Sequence, residues 1–270
     1  MSSTSRTPVA LVTGGSAGLG KEIARAFGRT GAKVILVARD EIRLQTAVDE
    51  LRAEQIEATG ISADITVQTD VDRVCEQVNS QFGRLDILVN NAGRSTRGKI
   101  AETTPAAFQE LWEANFLSAV RCTRAFLPLV TANLGSVVFI GSLASKAASP
   151  FLGAYPASKF PLAAYAQQLR LELTETGLHV LLVCPGPLQR QDAGERYQAE
   201  AANLPAAAQQ PGGGVRLKGI PPAYLAEQIV RACQRRQLEL VLPFKAKLLF
   251  AIAALWPSWG DWFIRRNTRG

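Results

Sequence analysis

Short runs of β-branched and aliphatic residues alternate along this chain with longer segments whose apolar residues recur at helical spacing, and nothing else in it constrains the fold as strongly. The strand-like runs are Val9 to Thr13, Lys33 to Ala38, Glu57 to Ala63, Asp86 to Asn90, Ser136 to Gly141, His179 to Cys184 and Leu238 to Leu242. The helical segments between them are Gly18 to Arg29, Glu41 to Glu54, Gln68 to Gln81, Pro105 to Thr131, Gly153 to Thr176 and Pro222 to Arg236. Strands joined through helices run parallel, and both sheet faces are then covered. The expectation is one α/β domain, a doubly wound parallel sheet of seven strands with helices on both faces. A length of 270 residues suits that single unit. It divides into a flexible N-terminus at 1–7, an α/β domain at 8–242 that includes a loop at 188–221, and a tail at 243–270.

The first strand and first helix are joined by Thr13-Gly14-Gly15-Ser16-Ala17-Gly18-Leu19-Gly20. Glycines there allow a tight turn and a close backbone approach to a pyrophosphate, whose charge then rests on the helix amides. In this position the turn predicts a dinucleotide cradle of the Rossmann type. The second strand ends Val37-Ala38-Arg39-Asp40. Ala38 cannot bond a ribose hydroxyl, whereas Arg39 can pair with a 2′-phosphate through a charge-assisted fork, so NADP(H) is expected over NAD(H). The plainer alternative is a surface charge at Arg39 beside a helix-capping Asp40. Asp64 and Ile65 follow the third strand, and Asn91, Ala92 and Gly93 follow the fourth. Strand ends of this kind bind ligands in open α/β sheets, although ordinary turn chemistry uses the same residues.

Tyr155 and Lys159 stand four residues apart in a helical segment and share one face. A free phenol titrates near pH 10; an ammonium roughly 5 Å away, at an effective dielectric near 20, stabilises the phenolate by about 3 kcal/mol, or about two pKa units. Ser142, at the end of SVVFIGS, arrives from a strand end, where its hydroxyl can hold a carbonyl oxygen. A solvated helix face with a chance spacing is the competing account. Asn115 lies in an apolar helix, where a polar side chain needs a partner, either a water or a backbone group.

Thr13-Gly14, Gly18 and Gly20, then Asn90-Asn91-Ala92-Gly93, Asn115, Ser142, Tyr155 with Lys159, and Pro185-Gly186 together resemble the short-chain dehydrogenase/reductase family from about residue 8 to 242. The resemblance implies an NAD(P)-dependent oxidoreductase acting on a carbonyl or secondary alcohol. In it Tyr155 would be the general acid or base, Lys159 would lower its pKa and bond the nicotinamide ribose, and Ser142 would orient the substrate oxygen. Asn115 would hold a water that relays protons to Lys159. Where the family usually has threonine, this chain has Arg190 after Pro187-Leu188-Gln189. Backbone near Leu188 could hold the carboxamide, or Arg190 could meet the cofactor phosphates. A cofactor-binding sensor or scaffold with weak turnover, or an NAD-dependent alcohol dehydrogenase, are the other readings. The pairing of helices Pro105 to Thr131 and Gly153 to Thr176 in the family implies a homodimer or homotetramer.

Lys+Arg 30 against Asp+Glu 23 gives a net charge of +7, which suits anionic cofactors or lipid surfaces but is too dispersed for nucleic acid. The single histidine, His179, builds no metal site and no Ser/His/Asp set, so no metal is expected. Four scattered cysteines read as buried free thiols in a reducing compartment. The opening MSSTSRTP lacks a signal-peptide core, and no stretch spans a bilayer. The expectation is a cytoplasmic protein, in contact with the inner membrane surface if its tail binds lipid. The 188–221 loop, with Gly212, Gly213 and Gly214 as hinge, reads either as a substrate lid or as a surface insertion. No charged cluster marks a polar substrate, so an apolar one is expected. The tail gathers Trp256, Trp259 and Trp262 beside the apolar run Leu248 to Trp256 and several cations. It reads either as a membrane-surface element or as a cover for the substrate pocket or another subunit.

Overall fold

A computed structural model describes residues 6–189, 197–209, 212 and 217–268. Seven parallel strands form one sheet in the order β3-β2-β1-β4-β5-β6-β7. They are β1 (Val9–Thr13), β2 (Lys33–Ala38), β3 (Ala58–Ser62), β4 (Ile87–Asn90), β5 (Ser136–Ile140), β6 (His179–Pro185) and β7 (Glu239–Leu242). The helices are α1 (Gly18–Gly28), α2 (Glu41–Ala53), α3 (Gln68–Phe82), α4 (Pro105–Trp112), α5 (Ser118–Ala132) and α6 (Tyr155–Glu172). They continue with α7 (Gln198–Ala201), α8 (Ala206–Gln209), α9 (Pro222–Gln234), α10 (Lys245–Leu255) and α11 (Pro257–Thr268).

The sheet separates two apolar layers. On one face Leu11, Ile35, Leu88 and Phe139 pack with Val74 of α3, Phe126 of α5 and Leu162 of α6. On the other, Val12, Leu36, Val89 and Val138 pack with Ile23 of α1, Leu44 of α2 and Ile229 of α9. Adjacent strand residues thus bury in opposite layers, which is why these runs read as continuously apolar rather than alternating.

Two long helices differ from the sequence expectation. The segment 105–131 is continuous but contains a π-helical turn, Glu113–Leu117, centred on Asn115. The helix expected from Gly153 begins at Tyr155, because Gly153 takes φ +51°, outside the right-handed helical region. The tail is not one short apolar helix but a hairpin, α10 and α11, turning at Trp256 and Pro257. Arg190, Gly213 and Gly214 lie outside the described residues, as do 1–5 of the N-terminus.

Candidate active site

The sheet order reverses between β1 and β4, and a cleft of about 2050 Å³ opens at the C-terminal strand ends beside that point. The loop after β1 is tied down by Gly14 and Gly15, whose amides donate to Val37 O of β2 at 2.8 and 3.3 Å. Helix α1 then starts without a side-chain cap and without an acidic residue in its first turn, and Gly18, Leu19 and Gly20 line the cleft. Its first amides therefore remain available to an anion. At Gly20 a Cβ would fall 2.2 Å from Gly14 O, so the packing admits only glycine. Ser16, Ala17, Asp64, Ile65, Ala92 and Gly93 line the same cleft. These features fit a dinucleotide.

At the β2 end Arg39 is well exposed and lies 3.7 Å from Asp64. Burial raises the Asp64 pKa, but hydrogen bonds from the Thr66 amide and hydroxyl, with the Arg39 charge, hold it below the usual carboxylate range. Asp40 does cap α2, accepting from the Arg43 amide at 3.0 Å, and its other oxygen pairs with the Arg43 guanidinium. Arg43, which the sequence reading passed over, thus stands beside Arg39 at the cleft edge.

Two residues expected to touch a ligand also brace the site. Thr13 is buried and does not line the cleft: its hydroxyl donates to Val89 O and accepts from the Asn91 and Ala92 amides at 3.0 and 3.1 Å. Asn91 lines the cleft, yet its amide nitrogen also bonds Thr13 O at 2.9 Å. Together they lock the end of β1 to the end of β4. Asn115 also lies behind the cleft wall. Its Oδ1 accepts from the Arg94 amide at 2.7 Å, while Nδ2 donates to Arg94 O and Ser158 Oγ, both at 2.8 Å. Its side chain is thus bonded to the Arg94 backbone and to the Ser158 hydroxyl, and it positions the Gly93-Arg94 turn. A Cβ at Gly93 would meet Asn115 Oδ1 at 2.6 Å and Lys159 Nζ at 3.3 Å, so glycine there lets this turn close on both.

Tyr155 opens α6 and Lys159 lies one turn on, and both face the cleft. Lys159 Nζ donates to Ile140 O at 2.9 Å, and burial brings its pKa down to about 8. Ser142 reaches the cleft from β5. Its Oγ accepts from the Ala144 amide at 3.1 Å, which fixes the oxygen and leaves the hydroxyl hydrogen as a donor. Pro185, Gly186 and Leu188 form the opposite wall, and Leu188 pairs with Ile220 to hold the base of the substrate loop.

Arg97 and Tyr197 carry no motif that marks them in the sequence. Arg97 is buried, with its guanidinium 3.7 Å from the Tyr197 ring centroid and its Nε donating to Ala208 O at 2.8 Å. Its backbone amide donates to Glu200 at 2.7 Å, and Ser95 bonds the Tyr197 hydroxyl. Burial lowers the Arg97 pKa, opposed by the nearby Tyr197, Glu200 and Tyr155. These contacts join α7 and α8 to the active-site wall, so the described part of the loop is no loose insertion. Only a basic residue just beyond the Asn-Asn-Ala-Gly turn could have hinted at this. The tail also covers the cleft, through Leu249, Phe250 and Ala253 of α10 and Phe263 and Ile264 of α11. His179 is structural, held between Ser136 Oγ and Gln237 O. Among the described residues no His/Cys/Asp/Glu group could hold a metal.

A parallel sheet of this order, with tyrosine, lysine and serine gathered at a dinucleotide-shaped cleft, is the arrangement of a Rossmann-type oxidoreductase. The chain belongs to the short-chain dehydrogenase family: residues 8–201 match that family's model, described as short chain dehydrogenase. It is 32% identical over 262 residues to dehydrogenase/reductase SDR family member 7B of Danio rerio, covering 93% of this chain and 82% of the relative. It is 36% identical over 186 residues to a putative ketoacyl reductase of Streptomyces coelicolor, covering 68% and 71% of the two chains. Among solved structures, the actinorhodin polyketide ketoreductase with NADPH superposes with a TM-score of 0.79 at 28% identity, covering 89% of this chain and 97% of that one. L-sorbose reductase of Gluconobacter frateurii, with NADPH and L-sorbose, gives 0.76 at 26% identity, covering 87% and 95%.

Proposed function

We propose that this oxidoreductase is an NADP(H)-dependent reductase of an apolar ketone or aldehyde, running in reverse on the secondary alcohol, with Tyr155 as general acid and base. One observation carries the reading: Tyr155 and the buried Lys159 share a cleft with the uncapped α1 N-terminus and the Arg39 guanidinium. A bound nicotinamide supplies or accepts the hydride. The α1 amides hold the pyrophosphate, and Arg39, with Arg43 beside it, receives a 2′-phosphate in place of its loose pairing with Asp64. The Tyr155 hydroxyl gives its proton to the substrate carbonyl oxygen while Ser142 donates a hydrogen bond to the same atom. Lys159, protonated below about pH 8, stabilises the phenolate left behind. The apolar substrate class is supported by the wall of Leu249, Phe250, Phe263 and Ile264. That two solved relatives carry NADPH supports the cofactor.

The outer faces of α4 and α6 leave Trp112, Phe160 and Leu171 exposed, at 40%, 44% and 66%, which supports a homo-oligomer paired through these helices.

Fluorescence titration with NADPH and NADH, followed by a ketone and aldehyde panel, tests the proposal. NADPH binds at least about tenfold more tightly than NADH, Arg39→Ala narrows that gap, and Tyr155→Phe keeps binding but loses turnover. Equal affinities in the wild type would overturn the cofactor assignment. Binding without turnover on every compound would favour a sensor of the same fold.

A further inference from the structure

The α10–α11 hairpin has two apolar faces, and the cleft covers only one. Phe244, Leu248, Ala251 and Leu255 follow one another at helical spacing of four, three and four residues, forming a single stripe along α10. Phe244, Leu248 and Leu255 are exposed by 76%, 67% and 70%, and the stripe continues into Trp256 at 62% and Trp262 at 50%. Leu249, Phe250 and Ala253 lie on the other side of α10 and wall the cleft. Large apolar groups this exposed and this contiguous mark a contact surface.

Charge decides among occupants. Lys245, Lys247, Arg265 and Arg266 are all exposed on the hairpin, against the single acidic residue Asp261 between 244 and 268. The Arg266 guanidinium lies 5.4 Å from the Trp262 ring, so cation and aromatic share one edge of the patch. A second copy docking through this face would set cations against cations. An anionic bilayer would set them against lipid phosphates, with tryptophans at headgroup depth. An eleven-residue helix is about 16 Å long, roughly half the hydrocarbon thickness, and among the described residues no helix is long and apolar enough to cross a membrane. The hairpin would therefore lie in the plane of the surface.

We propose that the outer face of the α10–α11 hairpin docks on an anionic membrane surface, inserting Phe244, Leu248, Leu255, Trp256 and Trp262 among the headgroups. Because the inner face of the same hairpin walls the cleft, docking holds the substrate site at the lipid surface.

The test is flotation of the full chain with vesicles of phosphatidylcholine alone and of phosphatidylcholine with phosphatidylglycerol. The wild type floats with the second kind only, and added salt releases it. Leu248→Ser with Trp256→Ser lowers partitioning more than about tenfold, and Lys247→Gln or Arg265→Gln lowers it about fivefold each. NADPH titration of every variant keeps its wild-type value, which shows the fold intact and separates this result from the cofactor and substrate assignments. Absence of vesicle binding by the folded wild type would overturn the proposal, as would equal binding by the serine variant. So would a self-association abolished by Leu248→Ser and Trp256→Ser in a protein that ignores vesicles, since the face would then belong to a second copy.

Discussion

Lys159 shows how much one side chain owes to where it is buried. Its spacing from Tyr155 was legible in the sequence; its burial was not, since β5 and the turn after β4, distant in the chain, close around its ammonium. Burial lowers its pKa from 10.5 to about 8, so the native state binds fewer protons than the unfolded chain between those values. Below about pH 8 the cost of burying the ammonium is fully present, and native stability gains about 3 kcal/mol as pH rises through that window. Lys159→Met, which also forfeits the bond to Ile140, is therefore more stable than wild type by about 2 kcal/mol at pH 7. That advantage shrinks as pH approaches 10.5, while turnover is lost throughout. Urea denaturation at several pH values reads it, and a difference independent of pH would remove the buried-ammonium account. Thr13, Asn91 and Asn115 make a complementary point: the sequence marks them as polar residues at strand ends or in an apolar helix. It cannot tell whether their hydrogen bonds go to a ligand or to neighbouring backbone.

Among the elements, the substrate loop and the tail hairpin depart furthest from what local pattern conveys. The short helices α7 and α8 have no amphipathic period to read, and they are placed by Arg97, which meets Tyr197, Glu200 and Ala208 at least 100 positions away. Arg97 acts as a positioning residue, latching the loop while placing a cation near Tyr155. Arg97→Gln is expected to raise KM for the carbonyl substrate about tenfold or more, with NADPH affinity unchanged. The basic limb of kcat/KM moves to higher pH, because a cation favouring the phenolate is gone. Arg97→Lys restores the pH profile but only part of the KM. A proportional fall in kcat with neither change would reduce Arg97 to a purely structural role. The tail's sequence fits lipid contact, or packing over the pocket or another subunit. The hairpin's inner face makes it pocket cover, a result that depends on the turn at Trp256 and Pro257 bringing α11 back over the cleft.

At the scale of the molecule, the exposed Phe160 and Leu171 predict an assembly state. Sedimentation of the wild type should show a dimer or larger, and Phe160→Glu with Leu171→Glu should shift it toward monomer, since burying two carboxylates at an apolar interface is costly. A wild-type monomer at micromolar concentration would refute the pairing. The sequence by itself determined the seven strands, the parallel sheet, the cradle after β1 and the Tyr155–Lys159 pair. All of these rest on local spacing, where period and turn chemistry act over a few residues. Only the tertiary structure decided which neighbours Thr13 and Asn115 brace, that Arg97 latches the loop, and that α10 and α11 have one face in the cleft and one outside it. Those outcomes depend on contacts between residues tens to more than a hundred positions apart, and such contacts exist only once the sheet order has brought the strand ends together.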